Sequence, residues 1–321
     1  MKLNKILSVA ALALGCVACE FDEYRNKVVK QRLREPIKGV CAVTADQERV
    51  IAASLYDEDL NLSRRIRCFD ARSGRLIAVS PFELNGLWSL RAASPDFDDT
   101  DQFWTLHANG YRLKWTENFM LTAAEAPLAA NLFPGVEARA YYDMDIASDG
   151  TVFLTVEDMQ ADGLDRTYLY RKAPGNQWER TTTNDGLMYK ECRVSHDNLS
   201  GKTMVLVSGA NEVVRFSGLN DIGRVGLQFA QHGYTDVAAA GGHITVSTRN
   251  LGPNGYGKLF VLDVITEEVT DEMVFGKPMA LGMKAPLLPG QAAEVSVFVA
   301  GLDYFPGKYG LVELTLKKSG S

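Results

Sequence analysis

From about residue 37 onward the chain is a succession of short apolar runs separated by turn-forming residues. Six similar units follow one another, and each contains a strongly apolar run of about six residues that predicts a buried strand. These runs begin at residues 49, 102, 151, 203, 243 and 294, so their starts lie 53, 49, 52, 40 and 51 residues apart. A period of this length indicates a repeat architecture in which each unit is one small sheet.

Each unit contains the same four predicted strands. A first run precedes the apolar run, a third follows a longer connection, and a short turn leads to a fourth, as in residues 70–79 and 263–274. Several first runs are rich in small residues, which suits strands crowded around an axis. No window carries an apolar stripe of helical period over several turns. We therefore predict an all-β fold, a six-bladed β-propeller of four-stranded antiparallel blades, with a pair of β-sandwiches as the alternative.

The third unit resembles a known group of propellers more clearly than the other five units do. The segment YYDMDIASDGTVFLTVED (141–158) resembles the NHL and lactonase-like propellers, in which an inner strand, an Asp-Gly turn and a second strand recur in this form. The resemblance implies the fold and not an activity.

The two ends of the repeat region also fit a propeller. The sixth unit stops at about Leu316, after its third strand, and propellers commonly close their ring with a strand from the opposite terminus. Residues 26–33 are predicted to be that missing outer strand, because their charges suit a solvent-facing edge. We accordingly predict one propeller domain over residues 26–321.

The N-terminus has the form of an export signal. Lys2 and Lys5 precede an apolar run from Ile6 to Gly15, which is too short to span a bilayer. A buried N-terminal helix is the alternative. The run ends in Leu12-Ala13-Leu14-Gly15-Cys16, which resembles the bacterial lipobox.

The lipobox resemblance implies that Cys16 is lipidated, with Cys19 as the competing site. We predict a signal peptide over residues 1–15 and a charged tether over 16–25. The protein would then be lipid-anchored in the bacterial cell envelope, on the periplasmic or the surface face of the outer membrane. Acyl chains add about 0.8 kcal/mol of membrane affinity per buried methylene.

The net charge of the chain limits the class of partner. A formal charge of −6 argues against nucleic acid as a partner.

The cysteines outside the N-terminal segment are Cys41, Cys68 and Cys192, and they form no zinc-binding pattern. We predict that Cys41 and Cys68 lie on non-neighbouring strands of one blade, so buried free thiols are expected and not a disulfide.

The connections between second and third strands share one end of a propeller with the connections between blades. Here these loops are long, and we predict that they expose carboxylates and aromatic rings, which are good binding material. Solvated loops whose aromatics cap blade edges are the alternative. The predicted binding residues are Tyr56, Asp57, Asp59, Asp158, Asp162, Tyr256, Asp303, Tyr304 and Phe305.

An alignment of the inner strands places Asp145, Glu191 and Asp236 at equivalent positions around the axis. Three converging carboxylates repel one another unless something compensates, and calcium prefers oxygen ligands. The resemblance to six-bladed lactonases implies a divalent cation here. Those enzymes also use asparagine side chains as ligands, however, and the predicted inner strands of this chain contain no asparagine. Hydrogen bonds to neighbouring backbone amides are the alternative.

No residue is predicted to be catalytic, since no GxSxG, Walker or GxGxxG-plus-helix motif is present. The favoured hypothesis is a membrane-anchored binding or scaffolding propeller without a cofactor, for an envelope protein, a peptide or a glycan. The rival is a calcium-dependent hydrolase of the lactonase type, and a purely structural envelope component is a third possibility. The oligomeric state is left open.

Overall fold

The structure is a computed structural model of the chain. It describes residues 28–33, 41–43, 49–53, 65–70, 73, 75–81, 87–92, 102–116, 118–129, 132–133, 137–159, 165–181, 192–207, 212–219, 221–225, 232–250, 257–275, 277–284, 294–302 and 309–317. Within these ranges there are 24 strands and no helix, and none of the described segments is a helix that could cross a membrane.

The strands form six four-stranded antiparallel sheets, blades 1 to 6, each in chain order from the axis outward except for the last strand of blade 6. Blades 1 to 3 are built from β2 (Cys41–Val43), β3 (Arg49–Ala53), β4 (Ile66–Asp70) and β5 (Leu76–Val79); β6 (Leu87–Ala92), β7 (Gln102–His107), β8 (Arg112–Thr116) and β9 (Leu121–Glu125); and β10 (Glu137–Ile146), β11 (Val152–Met159), β12 (Asp165–Lys172) and β13 (Glu179–Arg180). Blades 4 to 6 are built from β14 (Cys192–Asp197), β15 (Lys202–Val207), β16 (Glu212–Ser217) and β17 (Asp221–Val225); β18 (His232–Ala240), β19 (His243–Asn250), β20 (Gly257–Asp263) and β21 (Val269–Phe275); and β22 (Lys277–Lys284), β23 (Glu294–Leu302), β24 (Tyr309–Lys317) and β1 (Val28–Leu33).

The ring is closed, as predicted. Each inner strand contacts the inner strand of the next blade, and β22 of blade 6 contacts β2 of blade 1. The outer strand of blade 6 is β1, which pairs antiparallel with β24, with Val28 opposite Thr315 and Leu33 opposite Leu311. The prediction of an N-terminal closing strand is therefore confirmed.

The core lies between the blades. In β15, Val205 packs with Phe153 of blade 3, whereas the next residue back, Met204, packs with Ile244 of blade 5. Because successive side chains of a strand point to opposite faces and both faces are covered, the middle strands bury side chains on both faces. Each fully buried aliphatic side chain contributes about 1.5–3 kcal/mol to stability.

The antiparallel order gives the propeller two different ends. The first-to-second and third-to-fourth connections lie at one end, which we call the turn end. The second-to-third and blade-to-blade connections lie at the other, which we call the loop end. The loop predicted over residues 157–167 is shorter than expected, because β11 continues to Met159 and β12 starts at Asp165.

The cysteine prediction is confirmed for the described residues. Cys41 lies on β2 and Cys68 on β4, with β3 between them. Cys68 and Cys192 are buried free thiols, and burial raises the pKa of Cys192 to about 12.

Candidate functional site

A cluster of buried polar side chains lies between blades 2 and 3 near the loop end. Arg112 starts β8 directly after a tight turn, and Asp158 stands near the end of β11. Tyr141 comes from the inner strand β10, Tyr170 from β12 and Arg180 from the outer strand β13. We call these five residues the interblade cluster.

Asp158 is the buried acid of this cluster. The side chain is fully buried, the Tyr170 hydroxyl donates to its Oδ2 at 2.6 Å, and Arg180 Nη1 donates to the same oxygen at 2.9 Å. The other oxygen, Oδ1, is buried, and none of the described residues forms a hydrogen bond with it. Burial raises the pKa of Asp158, and the two bonds from Tyr170 and Arg180 act against that rise. Burial, reinforced by the bond to Asp158, raises the pKa of Tyr170.

Arg112 is the buried cation of this cluster. Only 4% of the residue is exposed, and Nη2 donates to Glu125 Oε2 at 2.8 Å and to the Ala126 carbonyl at 3.3 Å. The guanidinium also lies 4.9 Å from the centre of the Trp178 ring. Its Nε and Nη1 are buried and have no hydrogen-bond partner within the described part of the chain. Burial lowers the pKa of Arg112, opposed by Glu125 and Tyr141, and the group stays charged at neutral pH.

Tyr141 lies within electrostatic range of both charged residues. Its hydroxyl accepts the Leu128 N–H at 2.9 Å. Burial raises the pKa of Tyr141, Arg112 lowers it and Asp158 raises it further. The ring fills the space above Gly110, where φ is +81° and a side chain would collide with the tyrosine. Glycine at the turn before β8 therefore lets Tyr141 approach Arg112.

Aromatic rings surround the cluster. The Arg180 guanidinium lies 4.2 Å from the centre of the Tyr168 ring and 5.3 Å from that of Phe133, and Phe133 meets Tyr170 edge to face at 5.7 Å. Such rings strengthen the charge-assisted bonds by keeping water away.

Of the nine predicted binding residues, only Asp158 lies in the described part of the chain. We expected an exposed loop carboxylate there, and this was wrong, because Asp158 is inside β11 and bonded to blade 3 itself. The neighbouring Glu157, also expected to be exposed, is buried and accepts a hydrogen bond from the Tyr142 hydroxyl. The others lie outside the described residues and stay predictions: Tyr56, Asp57, Asp59, Asp162, Tyr256, Asp303, Tyr304 and Phe305.

The sequence analysis missed Arg112, Tyr141, Tyr170 and Arg180. Each lies in a strand, whereas the search concentrated on loops. No local signal pointed to Arg112, since in GYRLKW it shares a strand face with Lys114, and two charges on one face predict a solvent-facing side.

The acids of the inner strands hold neighbouring blades together. Asp143 Oδ2 accepts the Val194 N–H at 2.8 Å, and Asp145 Oδ2 accepts the His196 N–H at 2.6 Å, so both bridge from blade 3 to blade 4. The Ser195 hydroxyl likewise accepts the Ala239 N–H of blade 5 at 3.0 Å. These amides belong to the innermost strands, which have no further strand to pair with on the axial side.

The acids of the predicted cation site also accept main-chain N–H groups of their own strands. Asp145 Oδ1 accepts the Ile146 N–H and Asp236 Oδ1 accepts the Val237 N–H, both at 2.9 Å. Glu191 lies outside the described residues. Among those described, no three histidine, cysteine, aspartate or glutamate side chains come together in a way that could hold a metal ion. The cation site stays a prediction.

The strand register places Asp143, and not Asp145, at the position equivalent to Asp236. Both residues directly follow a bulge in the inner strand and stand opposite a hydroxyl residue, Thr155 or Ser247. In each blade that hydroxyl donates to the main-chain oxygen of the aspartate at 3.4 Å.

Comparison with known structures supports the propeller. A gluconolactonase from Xanthomonas campestris has a TM-score of 0.58 at 10% identity, over 94% of this chain and 93% of its own. A streptogramin B lyase has a TM-score of 0.51 at 11% identity, over 91% and 98%. A member of the DUF4221 family from Bacteroides vulgatus has a TM-score of 0.56 at 9% identity, over 92% and 97%.

This likeness is one of fold. The fold shared with these proteins is the six-bladed β-propeller, and at such low identity it carries no activity across. No family model matches the chain, and no curated protein matches its sequence.

Proposed function

We propose that this protein is a binding module, held at a bacterial membrane surface by a lipidated Cys16, whose loop end binds an envelope protein, a peptide or a glycan. The observation that carries the proposal is the unmet hydrogen-bonding capacity of the interblade cluster. Two nitrogen atoms of Arg112 and one oxygen of Asp158 are buried near that end without a hydrogen-bond partner among the described residues.

A buried polar group without a hydrogen-bond partner lowers the stability of the folded protein. A protein that keeps such a group is therefore expected to use it. A buried donor or acceptor without a partner costs about 1–3 kcal/mol, and more when it is charged. Native proteins keep few such groups, and the ones they keep tend to serve function. A ligand that supplies the missing partners removes these penalties on binding.

The cluster also limits the chemistry of the ligand. Arg112 requires an acceptor, and Asp158 Oδ1 requires a donor. A hydroxyl group provides both, and so does a peptide unit with its N–H and C=O. The surrounding rings of Phe133, Tyr168 and Trp178 suit the flat faces of sugars or the side chains of a peptide.

The bonding of the inner-strand acids favours binding over the hydrolase alternative. Both oxygens of Asp145 and one of Asp236 accept main-chain N–H groups, which gives these carboxylates a structural role within the ring. A calcium-dependent enzyme needs such oxygens directed at the cation.

The proposal is tested by screening the purified full-length protein in detergent against glycan and peptide arrays. The dissociation constant of the best ligand is then measured for the wild type, Asp158→Asn and Tyr111→Ala. Tyr111 is exposed in the turn before Arg112, so its removal leaves the fold intact. We expect Asp158→Asn to weaken binding about tenfold, equivalent to about 1.4 kcal/mol, and Tyr111→Ala to weaken it less.

The control is Asn176→Ala, an exposed residue at the turn end, which leaves the affinity unchanged. A ligand bound equally by all four proteins, or no ligand at all, contradicts the proposal. A calcium-induced rise in melting temperature that disappears in Asp145→Asn and Asp236→Asn supports the hydrolase instead.

A further inference from the structure

The turn end of the propeller exposes large aliphatic side chains. Seven of the nine large apolar residues exposed in the described part of the chain lie on its turns or in the strand segments next to them. The most exposed are Ile265 at 72%, Met120 at 64% and Leu199 at 54%, from blades 5, 2 and 4. The other four are Leu76, Ile77, Leu121 and Val269.

These three side chains stand on turns that are held in place by side-chain oxygens. The Ile265 N–H donates to Asp263 Oδ1 at 2.7 Å, the Leu199 N–H to Asp197 Oδ1 at 3.3 Å and the Met120 N–H to Thr116 Oγ1 at 3.1 Å. Each turn therefore fixes its backbone with a polar residue and presents an aliphatic residue at its tip. Turn tips are ordinarily polar, so three apolar tips at one end form an unusual surface, which we call the aliphatic tips.

The chain enters the propeller at this same end. Since β24 is a third strand, it runs from the loop end to the turn end, and β1 pairs with it antiparallel with Val28 opposite Thr315. Val28 therefore lies at the turn end. Eleven residues, 17–27, separate it from Cys16, and even a fully extended chain of that length reaches only about 40 Å.

We propose that the aliphatic tips rest in the interface of the lipid bilayer, with the turn end facing the membrane and the loop end facing away. This inference rests on the lipid anchor of the proposed function and adds the surface and the orientation. Attraction to a bilayer interface grows with the apolar area that is buried there.

The turns that carry Leu199 and Ile265 hold more acidic than basic residues. Their described charged residues are Asp197, Asp263, Glu267 and Glu268 against Lys202, so an anionic lipid surface would be repelled. A zwitterionic phospholipid surface is therefore the partner that the turn end fits, with the apolar area and not the net charge providing the attraction.

The test places a photo-cross-linking amino acid at Ile265, at Leu199 or at Tyr111 in the full-length lipidated protein, reconstituted in phosphatidylcholine vesicles. Tyr111 is the matched control, because it is exposed in a turn at the loop end. We expect lipid adducts from Ile265 and Leu199 and none from Tyr111. Equal adducts from Tyr111, or none from the other two, overturn the orientation. A cross-link from Ile265 to a second copy of the chain shows a dimer surface and also overturns it.

A second measurement is independent of the lipid anchor. Sedimentation with the same vesicles is compared for the predicted mature chain, residues 16–321, carrying Cys16→Ser and Cys19→Ser, and for the same chain with Met120→Ser, Leu199→Ser and Ile265→Ser added. The apolar run from Ile6 to Gly15 is left out because it would bind vesicles by itself. We expect the added changes to lower the bound fraction at least fivefold, whereas Tyr111→Ser added in their place has no effect. Equal binding by all three proteins overturns the inference.

Failure of the inference and failure of the proposed function are distinguishable. Mass spectrometry of the N-terminal peptide shows whether Cys16 or Cys19 carries acyl chains. If they are present and the loop end binds its ligand, but the tips give no lipid adducts, only the orientation is wrong. If no acyl chain is present, the anchor of the proposed function is wrong, and the sedimentation of the unlipidated chains still tests the tips.

Discussion

At the scale of single residues, the most informative side chain is Asp158. A buried ion pair is only weak evidence of stability, since taking two charges out of water offsets much of their attraction. In this protein the arginine-to-aspartate pair depends on a third residue, because the Tyr170 hydroxyl shares the Oδ2 atom with Arg180. Removing any one of the three leaves the others inadequately paired.

We predict that Tyr170→Phe lowers the free energy of unfolding by about 1.5–3 kcal/mol, the usual contribution of a hydrogen bond to a charged group. The ring and its edge-to-face contact with Phe133 are retained, so the loss comes from the hydroxyl. Urea denaturation followed by fluorescence measures it.

The matched control for this variant is Tyr168→Phe, two residues earlier on β12. Its ring lies under Arg180, and its hydroxyl forms no hydrogen bond with another residue that the structure describes. We expect a change of less than about 0.5 kcal/mol, as for other substitutions away from buried contacts. Equal losses in the two variants contradict the role assigned to Tyr170.

At the scale of elements, the turns show how short polar segments fix the ends of strands. Asp263 Oδ1 accepts the N–H groups of Ile265 and Thr266, at 2.7 and 2.8 Å. Glu267, four residues after Asp263, has a positive φ of 62°, which is uncommon for a residue with a side chain. The aspartate therefore stabilises a turn that the backbone alone favours less.

We predict that Asp263→Ala lowers the free energy of unfolding by about 0.5–1 kcal/mol at neutral pH, a small effect because water can replace an exposed bond. Hydrogen bonds, first of all from the Thr266 N–H, hold the pKa of Asp263 below its usual value. A carboxylate with a lowered pKa in the folded state stabilises it above the unfolded pKa, near 4, and loses that contribution as the pH falls through the folded pKa.

The difference between wild type and variant should thus be largest near neutral pH and shrink below about pH 4, where the unfolded carboxyl is protonated. Thermal unfolding at a series of pH values measures it. Glu268→Ala, on the same turn but outside these bonds, is the control. A difference that stays constant down to pH 2 would show that ionisation of Asp263 has no part in the effect.

The sequence predicted the bounds of some strands more accurately than those of others. The second strands were found almost to the residue, as with β7 at 102–107, because their apolar runs are continuous. The first strands are less clear in the sequence, as with β10, which starts at Glu137 and ends at Ile146. Its register shifts between Tyr141 and Asp143, and such a bulge breaks the two-residue alternation on which strand prediction depends.

At the scale of the whole molecule, closure is the feature that the sequence predicted best. The evidence for it was a sixth unit with only three strands and a suitable segment near the front of the chain. The interblade cluster could not be predicted in the same way, because Arg112, Tyr141, Asp158 and Arg180 come from four strands of two blades. Their proximity depends on which faces the blades turn toward each other, and no local pattern records this.

We predict that a chain starting at residue 34, without β1, loses about 3–5 kcal/mol of stability, if each lost backbone bond contributes about 0.5–1.5 kcal/mol. A chain starting at residue 26 keeps the strand and is the control. Calorimetry of the two truncated proteins measures the loss, and a synthetic peptide of residues 26–34 should partly restore the shorter one. Equal melting temperatures for the two truncated proteins would show that β1 is dispensable for closure.

The hydrogen bonds that side chains make to the inner strands also limit how a peptide could bind at the axis of the ring. The main-chain N–H groups of Val194, His196, Val237 and Ala239 already have acceptors in Asp143, Asp145, Asp236 and Ser195. An extended peptide could therefore not add itself as a fifth strand along blades 4 and 5 without displacing them. A ligand bound in the central channel therefore has to be recognised by side chains. The same hydrogen bonds keep these inner strands from serving as a template for β-aggregation.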